Sequence, residues 1–129
     1  MSDKFRIEII SPDKLIFNSE ANEVTIPSYE GQMGILKDHI SLITFLRPGI
    51  ISIKNQEKKE YFVEEGTVEF SNNKLLILTS TAKNLINLDQ NFIQDLIKKS
   101  EKKLNDSNAS DKEKYLLTYK ISILKEISQ

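Results

Sequence analysis

Asp38, His39 and Ser41 are the residue types of a nucleophilic triad, and they sit almost side by side in the chain. In that chemistry a carboxylate orients an imidazole, which takes the proton of a hydroxyl. The members of a triad converge from separate segments, so closeness in sequence gives no support. His39 reads instead as a loop or interface histidine. Gly31 and Gly34 do not make a phosphate loop, which needs more widely spaced glycines followed by Lys and Ser or Thr. They suit tight backbone bends between strands. Glu64 and Glu65 are adjacent, so a strand would point them to opposite faces and split any acid/base pair. The lysines of Lys98–Lys103 are interrupted by Ser100 and Glu101 and have no interleaved aromatic rings. They read as a solvated helix face and not as a nucleic-acid track. No catalytic, metal or cofactor site is expected.

Composition narrows the classes further. The 129 residues are 39% hydrophobic and 29% charged, an ordinary soluble mixture. Eighteen basic residues against 19 acidic ones give a net charge of -1. That balance argues against nucleic acid or an anionic bilayer as a partner held by bulk charge. The chain has no cysteine and one histidine. Disulfides, thiol nucleophiles, Cys-ligated metals and most His-rich metal sites are thereby excluded. No EF-hand spacing is present. The first residues carry no apolar signal core, and no run approaches the roughly 20 apolar residues that span a bilayer. The expectation is a soluble chain that meets a membrane only through a protein partner.

The elements that would carry a surface fall into two halves. Up to about Leu85 the apolar period is close to two: Phe5, Ile7 and Ile9 alternate with Arg6 and Glu8. Short strands are predicted over Leu15–Phe17, Glu23–Ile26, Gln32–Leu36, Ser41–Leu46, Ile50–Lys54, Tyr61–Val63, Thr67–Phe70 and Leu75–Thr79. Turns are predicted at Ser11–Lys14, Arg47–Gly49, Asn55–Lys58 and Ser71–Lys74. That many strands without an intervening helix indicate an antiparallel β-sandwich, not a parallel α/β sheet.

From Leu88 the period becomes helical. Leu88, Phe92, Ile93, Leu96, Ile97 and Leu104 share one stripe. Asp89 suits an N-cap, with Leu88 and Ile93 as a hydrophobic staple. Ser110-Asp111-Lys112-Glu113 has the form of a capping box for a second helix striped by Leu116, Tyr119, Ile123 and Ile127. Two such helices on the linker Asn105–Ala109 predict an antiparallel hairpin. The expected domains are a sandwich over 1–86 and a hairpin over 87–129. Helices of about four turns are marginal alone, so the hairpin must dock on something, and a partner could alter that docking.

The stretch Tyr29–Ile50, YEGQMGILKDHISLITFLRPGI, adds a resemblance. Glu30, Gly31, Gly34, Ile35, His39, Leu42, Ile43, Thr44, Pro48 and Gly49 resemble, without a gap, the signature of the epsilon subunit of bacterial and plastid F-type ATP synthases. Ile9-Ile10-Ser11-Pro12 with Phe17, Val63–Phe70, and Leu76–Ser80 with Ala82 match other parts of that family, so the likeness covers essentially the whole chain. It implies a non-catalytic central-stalk subunit of a proton-translocating synthase. Its sandwich would bind the gamma subunit and the polar loops of the c ring, turning with both. Glu30, Gly31, Gln32 and His39 would lie near the ring, and Ser11 and Thr44 near gamma. The hairpin would reach the alpha and beta subunits and restrain ATP hydrolysis. The location implied is the cytoplasmic face of a bacterial plasma membrane, held there through the complex.

Some positions depart from the family pattern. Gln32 stands where an acidic residue is common, Lys37-Asp38 where a Pro/Asn-Gly turn is common, and Glu65 where a glycine is frequent. Some relatives bind ATP through a motif like Ile-Asp-x-x-Arg-Ala. Here it reads Leu88-Asp89-Gln90-Asn91-Phe92-Ile93, with Phe92 in place of the arginine. The second helix offers only lysines, which lack the bidentate guanidinium fork, so weak or absent ATP binding is expected. The competing readings are an unrelated β-sandwich adaptor with a partner-gripping hairpin, and a small enzyme using surface carboxylates gathered in a concave cluster.

Overall fold

A computed structural model describes residues 3–128. Met1, Ser2 and Gln129, which the expected domain ranges include, lie outside the described residues. Strands β1 (Phe5–Ile10), β2 (Leu15–Ala21), β3 (Glu23–Ser28), β4 (Gly31–Leu36) and β5 (Leu42–Leu46) come first. They are followed by β6 (Gly49–Lys54), β7 (Lys58–Val63), β8 (Gly66–Ser71), β9 (Lys74–Leu78) and the two-residue β10 (Lys83–Asn84). A 3-10 turn over Leu85–Asn87 leads to helices α1 (Gln90–Leu104) and α2 (Asp111–Ile127).

The strands form one sheet in the order β10-β7-β6-β3-β5-β8-β9-β1-β2, with β4 added to β3. It folds over a single core. The inward residues Phe5, Ile7 and Ile9 of β1 meet Val24, Ile26, Ile35, Ile51 and Phe70 in one buried cluster. The expected sandwich is therefore built from one sheet. Its ladders are antiparallel except β1 with β9, which pair in parallel. β2 runs past Phe17 to Ala21, because Asn18, Ser19 and Glu20 pair with Glu8, Ile7 and Arg6 despite their polarity. β7 begins at Lys58, since Lys58 and Lys59 pair with Lys54 and Ile53, which shortens the expected polar loop.

The helices follow their capping signals. The Asp89 carboxylate accepts from the Phe92 N–H at 2.7 Å. Ser110 and Glu113 form the expected capping box. The hairpin packs on the sheet through Phe62 of β7, which is buried with Ile93, Ile97 and Leu124. In α2 the buried positions are Ile121 and Leu124, which the predicted stripe omits. In α1 Ser100 is buried as well, its hydroxyl satisfied there by donating to the Leu96 carbonyl at 2.7 Å. Phe92 is the outlier of the predicted α1 stripe and stays exposed.

Candidate interaction surfaces

The groups that suggested chemistry are occupied locally. Asp38 takes a left-handed conformation (φ 66°) and so does Asn73 (φ 57°). The Asp38 N–H donates to Asn73 Oδ1 at 2.7 Å, and Asn73 Nδ2 donates back to Asp38 Oδ1 at 2.9 Å. His39 Nδ1 lies 2.7 Å from the Ile40 carbonyl, and its ring stands edge-on to Phe70 at 5.9 Å. The imidazole is thus directed at backbone and a core ring instead of at Asp38. Glu64 and Glu65 lie in the bend between β7 and β8 and not on a strand, and there Glu64 pairs with Lys120 while Glu65 is exposed. Lys98, Lys99, Lys102 and Lys103 are exposed, Lys99 paired with Asp95 at 3.4 Å, and Glu101 of the same run pairs with Lys125 of α2 at 3.6 Å, so the run is a solvated helix face. Among the described residues no cluster of His, Cys, Asp or Glu could hold a metal ion. No described helix is long and apolar enough to cross a membrane.

The four residues expected together near the ring are not brought together. Tyr29 and Glu30 make the tight β3–β4 turn, and Gly31 and Gln32 open β4. There Ser28 Oγ accepts from the Glu30 N–H at 3.2 Å and donates to the Gly31 carbonyl at 2.7 Å. Gly31 has φ 122°, a conformation that only glycine adopts at little cost. His39 lies beyond the far end of β4, six residues or roughly 20 Å away along the strand. It keeps company there with the β8–β9 turn through the Asp38–Asn73 pair.

Thr44 also differs from expectation. Its side chain points inward and is 6% exposed, because Thr44 pairs with Val68 on the core side of the sheet. The residues on either side supply the outer face: Ile43 is 75% and Phe45 56% exposed. The register continues that face across four strands. Phe45 lies opposite Thr67, Thr67 opposite Leu78, and Leu78 opposite Ile10. Three strand spacings make this row about 14 Å wide. Phe45 and Leu78 in this row are exposed, Ile10 and Thr67 half-buried, and exposed apolar side chains grouped in this way suit an interaction surface. Ser11 stands at its end, in a groove of about 480 Å³ shared with Ile10, Gly66 and Leu78. Its hydroxyl is engaged with Lys14 backbone N–H and carbonyl at 3.2 and 3.1 Å.

At the hairpin start, Leu88 and Ile93 pack inward, and Asp89 caps α1. Phe92 is exposed with Lys83 Nζ 5.6 Å over its ring. A groove of about 450 Å³ lies beside them, and Lys83 is the one cation among its described lining residues.

Missed by sequence reasoning were the contacts that fasten the hairpin. Arg47 sits 4.1 Å over the Tyr119 ring, and its Nη1 donates to the Tyr115 hydroxyl at 3.4 Å. Lys120 pairs with Glu64. Only the types were visible: two tyrosines on α2 four residues apart, which share a helix face.

The beta-sandwich domain of the ATP synthase Delta/Epsilon chain family matches residues 4–85. An ATP synthase epsilon chain of Pelagibacter ubique is 45% identical over 99% of this chain and 100% of its own length. One from Parvibaculum lavamentivorans is 32% identical, covering 98% and 97%. Among solved structures, a chain in the Euglena gracilis mitochondrial ATP synthase assembly of OSCP, F1 and c ring superposes with TM-score 0.83 at 19% identity. That match covers 100% of this chain and 84% of the other. A chain in the Tetrahymena thermophila central stalk and c ring superposes with TM-score 0.65 at 13% identity, covering 96% of each. At such identities the superpositions speak for the fold.

Proposed function

The chain belongs to the ATP synthase Delta/Epsilon chain family, among its epsilon members, and from that premise we propose that it is a non-catalytic rotor adaptor binding the gamma subunit and the c ring. The carrying observation is the outer face of the sheet on which Phe45, Thr67, Leu78 and Ile10 form one cross-strand row, with exposed Ile43 two residues along β5 on the same face. Burying such a row against gamma is favourable by roughly 25 cal/mol per Å² of apolar surface removed from water. Rigid strands then pass torque with little loss to deformation.

In this reading Ile43 and Phe45 face gamma, with Ser11 at the margin. Glu30 of the β3–β4 turn, with Gly31 and Gln32 at the start of β4, faces the ring loops. His39 belongs with the gamma-side residues, since it lies past the far end of β4. The working division is a rotor-clamping domain over 1–86 and a hairpin domain over 87–129. A hairpin released from Phe62 would offer its apolar stripe to the alpha and beta subunits and restrain ATP hydrolysis. The chain would be peripheral to the bacterial plasma membrane, on its cytoplasmic face, through the synthase.

Co-purification tests the assignment. The tagged chain should bring gamma and c subunits out of detergent-solubilised membranes. Recovery of the tagged chain without either one would overturn it.

A further inference from the structure

Tyr29 touches two parts of the molecule at once. Its ring lies 6.4 Å from that of Phe45, on the outer face of β5. It lies 6.4 Å from that of Tyr115 on α2, edge-on at 77°. Tyr115 stands edge-on to Tyr119 at 4.9 Å, and Arg47 covers Tyr119. One run of rings therefore leads from the outward strand surface to the docked helix. A groove of about 350 Å³ opens beside it, lined by Tyr29, Phe45, Gly66 and Thr67 from the sheet and by Lys112 from the first turn of α2. The surface assigned above to gamma is thus completed by a residue of the hairpin.

The occupant of this groove follows from its continuity. It shares Glu65 and Gly66 with the groove that holds Ile10, Ser11 and Leu78. A partner that covers Phe45 and Leu78 runs on into it. The hairpin cannot fill the groove, because α2 is already its wall.

We propose that gamma binding and hairpin docking are positively linked through Tyr29. Gamma seated against Phe45 holds the Tyr29 ring, and a held Tyr29 retains Tyr115 and with it α2. The proposal rests on the rotor reading. Tyr29 is 37% exposed on a turn, so its ring is fixed by these two neighbours and not by the core. Linkage is reciprocal: the factor by which gamma strengthens docking equals the factor by which docking strengthens gamma binding. One aromatic pair sets that factor at about two- to tenfold.

The test uses the full chain, purified gamma subunit, and amide hydrogen exchange in α2 with and without saturating gamma. Gamma should slow α2 exchange by the stated factor in the wild type and in Tyr29→Phe, which keeps the ring. In Tyr29→Ala the slowing should vanish, and gamma affinity should fall by the same factor, with strand amides protected as before. If gamma binds the wild type but leaves α2 exchange unchanged, or if the slowing survives in Tyr29→Ala, the linkage is wrong and the rotor assignment stands. If gamma does not bind the wild type at all, both fall.

Discussion

Lys120 of α2 and Glu64, just past β7, form the least exposed ion pair among the described residues, their side chains keeping 14% and 31% of their accessible surface. The pair borders a cleft with Pro48, Lys103 and Glu113, where helix and sheet meet. It fastens the hairpin at a point separate from the Phe62 cluster and from the aromatic run.

Partial burial decides what breaking this pair does. An exposed pair contributes about 0–1 kcal/mol, whereas stripping one partner from a buried pair costs about 3–5 kcal/mol. Glu64→Gln should fall between, destabilising the docked hairpin by about 1–2 kcal/mol. Adding Lys120→Met should recover part of that loss. A double-mutant cycle on α2 hydrogen exchange reads the coupling, and strict additivity would mean the pair contributes nothing.

Two glycines with opposite surroundings give a second prediction. A Cβ on Gly49 would stand 2.5 Å from Pro27 Cβ, across the β3–β6 junction. Gly49→Ala should therefore cost about 1–3 kcal/mol through overpacking. At Gly34 the nearest atom is Glu23 Oε2 at 3.9 Å. Gly34→Ala should leave chemical denaturation unchanged or slightly improved, since the strand loses a flexible residue.

Alkaline stability should depend on Tyr61. Burial pushes its phenol up from the ordinary 10.0. Above pH of about 10 the unfolded phenol loses its proton while the folded one retains it, so folding stability declines as pH rises through that window. Below it this contribution is fully present. Denaturation of Tyr61→Phe between pH 9 and about 11 should show a flatter decline than the wild type. Parallel curves would remove Tyr61 as the cause.

ATP should bind weakly or not at all. Asp89 is committed to capping α1, and Phe92 offers a ring where some relatives have a guanidinium. Isothermal titration should show no saturation at micromolar nucleotide. A micromolar dissociation constant would show that Lys83 and the α2 lysines suffice for phosphate.

The sequence displayed what local periodicity controls. Alternation at Phe5–Ile9 placed β1, and Ser110 with Glu113 marked the start of α2 to the residue. Orientation at Thr44 was also legible in principle: with Leu42 and Leu46 at period-two spacing, Thr44 shares their inward face. The separation of Glu30 from His39 was legible too, because the strand predicted over Gln32–Leu36 already sets them at opposite ends of β4. The hairpin contacts Glu64–Lys120 and Arg47–Tyr119 join residues far apart in the chain, which no period can pair. Ser100 and Ile121 became core because of what packs against them, not because of their own pattern.

Ile43 offers the sharpest readout of the rotor assignment, because the chain has no cysteine to compete with an introduced one. Ile43→Cys, carrying a short photo-crosslinker in the assembled synthase, should give an adduct with gamma. The same probe at Gln32→Cys should give one with a c subunit. An intact complex in which Ile43→Cys labels only solvent or other subunits would contradict a sheet face built to hold the rotating shaft.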